Sequence, residues 1–104
     1  MSDFVKGVSA SDKSCITNGV NIVTGGTGIA DLSLAAPSPG HRCVIRILST
    51  AGNVDVLTPT GVTFDGTNNR ARFDDDEESL TLVYHDYNKW AIEINKGSVT
   101  MASV

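Results

Sequence analysis

The segment from Ser79 to Asn95, SLTLVYHDYNKWAIEIN, constrains the fold of this chain more than any other stretch. Before its polar centre, Leu80, Leu82 and Tyr84 alternate with other residues on a two-residue period. The same period returns after the centre at Trp90, Ile92 and Ile94. Successive strand residues point to opposite faces of a sheet, so this pattern is typical of two half-buried strands joined by a tight turn. The segment therefore predicts a β-hairpin in an all-β protein.

Shorter strand-like stretches, separated by turn residues, occupy most of the remaining chain. Strands are predicted at 20–23, 29–34, 42–48, 54–58, 62–64 and 70–73, with a last strand inside 96–104. The 42–48 stretch is β-branched and apolar, so we expect it at the centre of a sheet. The turn signal Asp65-Gly66 predicts that 62–64 and 70–73 form a second hairpin. No helical period persists, so the sequence predicts a single-domain β-sandwich or jelly-roll-like barrel.

The length and the polar N-terminus set the domain organisation. A chain of 104 residues has room for one domain. Residues 1–19 are rich in Ser, Asp, Lys and Gly, which favours a flexible arm that orders on assembly, whereas 20–104 form the β-rich domain. Only 40% of the residues are hydrophobic and 6% are aromatic, so we expect oligomerisation to bury additional surface.

Charge and composition argue against several classes of partner. The net charge is −4 and the eight basic residues are scattered, whereas nucleic-acid binding needs clustered Lys and Arg. No apolar run approaches the roughly 20 residues that cross a bilayer, so no membrane partner is expected. Cys15 and Cys43 fit no zinc spacing and are expected to be reduced in a protein made in the cytoplasm. No cofactor is predicted.

Candidate catalytic and metal-binding residues are few. The acidic run Asp74–Glu78 offers oxygen ligands for a hard cation, but it lacks the spacing of an EF-hand loop, so a solvated turn is favoured. Gly25–Gly28 lacks the Lys and Ser/Thr of a phosphate loop, and His41 and His85 fit surface positions. No nucleophile, base and orienting acid can be assembled, so the sequence predicts a protein that is not an enzyme.

A family resemblance rests on five short segments. They are 51–56 (AGNVDV), 63–66 (TFDG), 79–82 (SLTL), 88–92 (NKWAI) and 97–100 (GSVT). Through them, the chain from Leu32 to Ser103 resembles small virion proteins of tailed bacteriophages, especially capsid decoration (cement) proteins and related β-rich fibre domains. The resemblance implies a structural protein that forms a homotrimer on the capsid exterior of the virion. There it would dock between subunits of the major capsid protein and clamp them.

Six residues are candidates for the contacts of such a protein with the capsid or with its own copies. They are Phe4, Val5, Lys6, Tyr84, Trp90 and Ile92. Phe4 and Val5 are predicted apolar anchors of the arm, with Lys6 as a charge partner. Tyr84, Trp90 and Ile92 are predicted to lie in the core or in the trimer contact.

The alternative function is the receptor-binding, carbohydrate-binding tip domain of a tail fibre. In that case the loops 37–41 and 65–69, together with exposed aromatic side chains, would contact host glycans. Trp90 is the candidate for stacking on a sugar, although its alternation with Ile92 and Ile94 favours a core position. Glycan binding would separate this alternative from a capsid-binding role.

Overall fold

The structure, a computed structural model, describes residues 5–104. These residues form ten β-strands and no helix. The strands are β1 (Val5–Val8), β2 (Ser14–Cys15), β3 (Gly19–Gly26), β4 (Ile29–Leu34), β5 (Arg42–Thr50), β6 (Val54–Leu57), β7 (Arg70–Phe73), β8 (Ser79–Asp86), β9 (Lys89–Lys96) and β10 (Thr100–Ala102).

The strands are arranged in two five-stranded sheets. The first sheet has the order β1-β3-β5-β8-β9 and the second has the order β10-β7-β6-β4-β2. From β1 to β6 the chain alternates between the sheets, and the neighbours within each sheet run parallel. The first half is therefore built like a solenoid of three coils, β1–β2, β3–β4 and β5–β6. The later pairs, from β6–β7 and β5–β8 onward, are antiparallel.

The core lies between the two sheets. In the first sheet, the buried side chains of Val8, Val23 and Ile47 stand in register across the three coils. In the second sheet, Ile29 stands in register with Val54, and Val54 stands in register with Phe73; all three side chains are buried. Both rows belong to one cluster of buried apolar side chains. The predicted all-β sandwich is confirmed, whereas the two sheets keep separate edges and do not close into a barrel.

The predicted hairpin is confirmed as β8 and β9. Its two-residue turn, Tyr87-Asn88, has φ values of 66° and 58°, which is the type I′ conformation that matches the twist of paired strands. Across the strands, the rings of Tyr84 and Trp90 meet edge to face at 5.4 Å between centroids. The alternating pattern predicts that Ile94 faces the core, but its side chain is 52% exposed. Ile94 pairs with Thr81 and Ile92 pairs with Leu82, so β9 has a bulge between Ile92 and Ile94 that turns Ile94 to the outer face of the sheet.

Residues 5–19 differ from the flexible arm that the sequence predicts. β1 pairs in parallel with β3, and β2 pairs in parallel with β4, so this segment supplies the first coil. The side chains of Val8 and Cys15 are buried. A polar segment can take this place because the neighbouring coil supplies its backbone partners and only one face needs apolar residues. Residues 1–4, including Phe4, lie outside the described part of the chain.

The second predicted hairpin is wrong. Residues 62–64 form no strand, and β7 pairs with β6 and β10 instead. Thr63 makes only an isolated bridge with Lys89, while the side chain of Phe64 is buried in the core. The Asp65 carboxylate accepts two backbone hydrogen bonds within its own loop, at 3.0 and 2.8 Å. The turn signal at Asp65 therefore marks a compact loop rather than a pair of strands.

Candidate functional site

The sequence-predicted contact residues fall in two places, the first coil and the core. Val5 is 67% exposed on β1, and Lys6 is half-buried beside it. Tyr84 and Trp90 are buried in the core, and Ile92 is half-buried against it. The structure therefore brings Tyr84, Trp90 and Ile92 together at one end of the hairpin, but it does not bring them to Val5 and Lys6.

Lys6 is an internal clamp of the first coil. Its ammonium group donates to the backbone oxygen of Ser14 at 2.9 Å and to its hydroxyl at 2.8 Å. The same group lies 3.0 Å from a carboxylate oxygen of Asp12. These contacts hold β1 against β2, and the hydrogen bonds from Lys6 and Ser14 lower the pKa of Asp12. The charge of Lys6 is therefore engaged within the protein.

An apolar groove lies beside the first coil, at the edge of both sheets. β1 is the edge strand of the first sheet and β2 is the edge strand of the second, so both sheets end at this coil. A groove of about 640 Å³ lies here, lined by Val5, Lys6, Ser14, Cys15, Ile16, Thr17, Asn18 and Ala35. We call this surface the coil-edge groove. Its open strands and the exposed Val5 give it backbone hydrogen-bonding groups and apolar area together.

A second groove lies at the tip of the β8–β9 hairpin. Its volume is about 430 Å³, and it is lined by Asp65, His85, Asp86, Tyr87, Lys89, Trp90, Ala91 and Ile92. We call it the hairpin-tip groove. Trp90 is buried and cannot stack on a ligand, whereas Tyr87 is 84% exposed on the turn itself. Tyr87 is not among the residues predicted from the sequence, although its place between the two predicted strands, in the tight turn, is a signal of exposure.

The acidic run forms the crossover from β7 in one sheet to β8 in the other. Carboxylate oxygens of Asp74, Asp75 and Glu78 all lie within 4.8 Å of one another. Glu78 is only 2% exposed, and its Oε1 atom accepts the backbone N–H groups of Asp74 at 2.7 Å and Asp75 at 3.0 Å. Burial raises the pKa of Glu78, and the negative charge of Asp74 adds to that rise.

The two cysteines are placed for packing rather than for chemistry. Both are free and buried. Burial raises the pKa of Cys15 and the pKa of Cys43 to about 12, so neither forms an appreciable thiolate at neutral pH.

His41 accepts the backbone N–H of Ser38 at 3.3 Å and lies 3.0 Å from the hydroxyl of Thr17, which stabilises its loop. His85 is exposed on the rim of the hairpin-tip groove.

Comparisons with protein-family models, with curated proteins and with solved structures found no match. Within residues 5–104, the structure contains no helix of the length and apolarity that a membrane crossing requires.

Proposed function

We propose that this chain is a phage capsid decoration (cement) protein, which binds the capsid exterior as an oligomer and stabilises contacts between major capsid subunits. The class comes from the resemblance of residues 32–103 to small phage virion proteins. The observation that carries the proposal is the coil-edge groove, because a surface of this kind is suited to binding another protein chain.

The coil edge combines two means of recognition. Edge strands β1 and β2 present backbone groups to which a strand of another protein can be added. The exposed Val5 and the apolar floor of the groove supply area whose burial favours association. Because Lys6 is already paired with Asp12 and Ser14, the contact depends on backbone and apolar groups more than on this charge.

The small size of the protomer fits a role in which several copies bind the capsid together. Its extents are 36 × 35 × 24 Å, so a single copy offers a limited contact area. In a homotrimer, binding through one copy raises the effective concentration of the other two at their own capsid sites. Several modest contacts then hold adjacent capsid subunits together. We expect this multiplicity, rather than one tight contact, to provide the clamping.

The test is co-sedimentation with purified capsids that lack the protein, combined with light scattering to count its subunits. Val5→Glu places a charge on the coil edge and should abolish capsid binding without changing the melting temperature. Val104→Glu is the matched control, because Val104 is the same residue type with the same 67% exposure. Capsid binding by Val5→Glu at the level of Val104→Glu would refute the coil edge as the docking surface.

The alternative function, the receptor-binding tip of a tail fibre, is favoured by the hairpin-tip groove. Exposed Tyr87 offers a ring face for a sugar, and His85, Asp86 and Lys89 place hydrogen-bonding groups around it. Glycan binding that is lost in Tyr87→Ala, by a protein that ignores capsids, would favour this function over the first. The two functions use different surfaces, so Val5→Glu and Tyr87→Ala separate them.

A further inference from the structure

Glu78 has an unusual environment for a carboxylate. Its Oε1 atom accepts two backbone hydrogen bonds, but its Oε2 atom is buried and has no hydrogen-bond partner among residues 5–104. An unpaired charged oxygen away from water is costly, so such groups are normally paired or bound to a metal ion. When all three groups are ionised, the nearby carboxylates of Asp74 and Asp75 are acceptors only, so they can partner this oxygen only through a shared proton or a bound cation.

The surrounding structure holds Glu78 in this position. The backbone of the turn is joined to β5, because Glu77 donates to the Ile47 oxygen at 2.8 Å and Ile47 donates to the Glu78 oxygen at 2.9 Å. Gly97 covers the side chain, since a Cβ atom at Gly97 would lie 2.7 Å from the Cγ atom of Glu78. The buried oxygen is therefore kept beside the two exposed carboxylates by contacts that do not depend on them.

We infer that Asp74, Asp75 and Glu78 form a calcium site, in which the buried Oε2 atom of Glu78 and the carboxylates of Asp74 and Asp75 bind the ion. Water completes the coordination on the exposed side. Carboxylate oxygens are the ligands that hard divalent cations prefer, and three negative charges meet here within 4.8 Å.

The kind of coordination available at this crossover favours calcium over magnesium. Ca²⁺ accepts oxygen ligands at about 2.3–2.6 Å in a flexible geometry, which suits one buried and two exposed carboxylates that lie within 4.8 Å of one another. Mg²⁺ demands a near-ideal octahedron at about 2.0–2.1 Å and gives up its water ligands reluctantly. With three protein ligands, two of them exposed, the site belongs with the weaker calcium sites, whose dissociation constants are about 10⁻⁴–10⁻³ M.

The site would connect the two sheets. β7 ends at Phe73 in one sheet and β8 begins at Ser79 in the other, so the ligands occupy the whole crossover between them. An ion bound there would hold the crossover closed and stabilise the folded chain by mass action. Calcium should therefore raise the melting temperature, which gives a readout that needs no knowledge of the biological partner.

The test uses the full chain, freed of metal with a chelator, in thermal unfolding and in calorimetric titration with CaCl₂. At about 10 mM Ca²⁺, ten times the weaker dissociation constant, the melting temperature should rise by about 5–10 °C. MgCl₂ should raise it less, and NaCl at equal ionic strength controls for charge screening. The titration should give a stoichiometry of one ion per chain.

The variants assign the response to named side chains. Glu78→Gln and Asp75→Asn should lose the calcium response, whereas Glu77→Gln, an adjacent change of the same charge, should keep it. Asp75 is exposed, so Asp75→Asn remains informative if Glu78→Gln does not fold. No saturable binding of Ca²⁺ by the wild type, or an equal calcium response in Glu77→Gln and Asp75→Asn, would overturn the site, and an equal response to Mg²⁺ would overturn the assignment to calcium.

Discussion

Replacing Asn21 with alanine should destabilise the protein by about 2–3 kcal/mol. Asn21 is fully buried, and its side chain takes the place of a neighbouring strand for Ile16. Its Oδ1 atom accepts the Ile16 N–H at 2.8 Å, and its Nδ2 atom donates to the Ile16 oxygen at 3.0 Å. The same amide donates to the Val44 oxygen at 3.2 Å, so one side chain joins the connection before β3 to the third coil.

The magnitude follows from what the substitution leaves behind. Alanine removes the hydrogen bonds that the Asn21 side chain makes with the N–H group and with the oxygen of Ile16. Each buried backbone group left without a partner costs about 1–3 kcal/mol. The Ile16 oxygen keeps a weak donor, the Cys43 thiol at 3.4 Å, and Ile16 itself is only half-buried. The penalty is therefore larger for the N–H group than for the oxygen, and it is reduced for both by partial exposure. We expect a total of about 2–3 kcal/mol, in the lower half of the roughly 2–6 kcal/mol that two fully buried, unpaired groups would cost.

The assay is urea unfolding of Asn21→Ala beside Asn18→Ala. Asn18 is exposed in the same connection, and from residues 5–104 its side chain accepts a single long hydrogen bond, from the Arg42 backbone N–H at 3.4 Å. Asn18→Ala should therefore change the free energy of unfolding by less than about 0.5 kcal/mol. Asn21→Ala should lower the melting temperature by roughly 10–20 °C with an unchanged urea slope. Equal free energies for the two variants would refute the role assigned to Asn21.

Three further predictions concern the coils. Gly52→Ala should cost about 1–3 kcal/mol, because its Cβ atom would overlap a backbone oxygen of the neighbouring coil. Gly7→Ala should be near neutral in the same denaturation assay, because, apart from the glycine and its chain neighbours, no atom of residues 5–104 lies within 4 Å of its Cβ position. Cys15 and Cys43 should resist a thiol-labelling reagent at pH 8 in the folded protein and react fully in denaturant, because burial raises the pKa of each to about 12; fast labelling of the folded protein would contradict this. The pKa of Asp12 is lowered from its ordinary 3.8 by hydrogen bonds from a lysine and a serine, so its contribution to stability is present above pH 3.8 and is lost as the pH falls through the lowered value. The stability difference between wild type and Asp12→Asn should shrink accordingly, and a difference that does not vary between pH 5 and pH 2 would count against the clamp.

Local patterns in the sequence determine the class of fold and its best hairpin. The two-residue period of 79–95 correctly predicts that Leu80, Leu82 and Tyr84 share one face of β8, where all three are buried, because alternation is a property of the strand itself. The limits of β4 and β7 match the predicted strands 29–34 and 70–73, and β5 begins at the predicted residue but continues to Thr50. Such information lies within a few neighbouring residues, which is why it can be read before the fold is known.

The choice of strand partners is decided only by the tertiary structure. The parallel coils place Val5–Val8 beside β3, although the sequence of 1–19 is typical of an arm. A one-residue bulge in β9 exposes Ile94 despite its place in the alternating pattern. Pairing depends on residues far apart in the chain, so neither result can be derived from a local period.

For the candidate sites, too, the sequence determines one part and the tertiary structure decides the other. The sequence by itself establishes that five carboxylates stand together at Asp74–Glu78 and that an aromatic residue lies at the hairpin turn. Only the packing of Gly97 and β5 around the crossover buries Glu78 and leaves one of its oxygens without a partner in the described part of the chain. Trp90 enters the core, as its alternating position predicts, and the turn geometry leaves Tyr87 exposed. Residue types are local, whereas burial and unpaired polar atoms arise from contacts between distant segments, and those contacts decide which residues of this protein can bind a ligand.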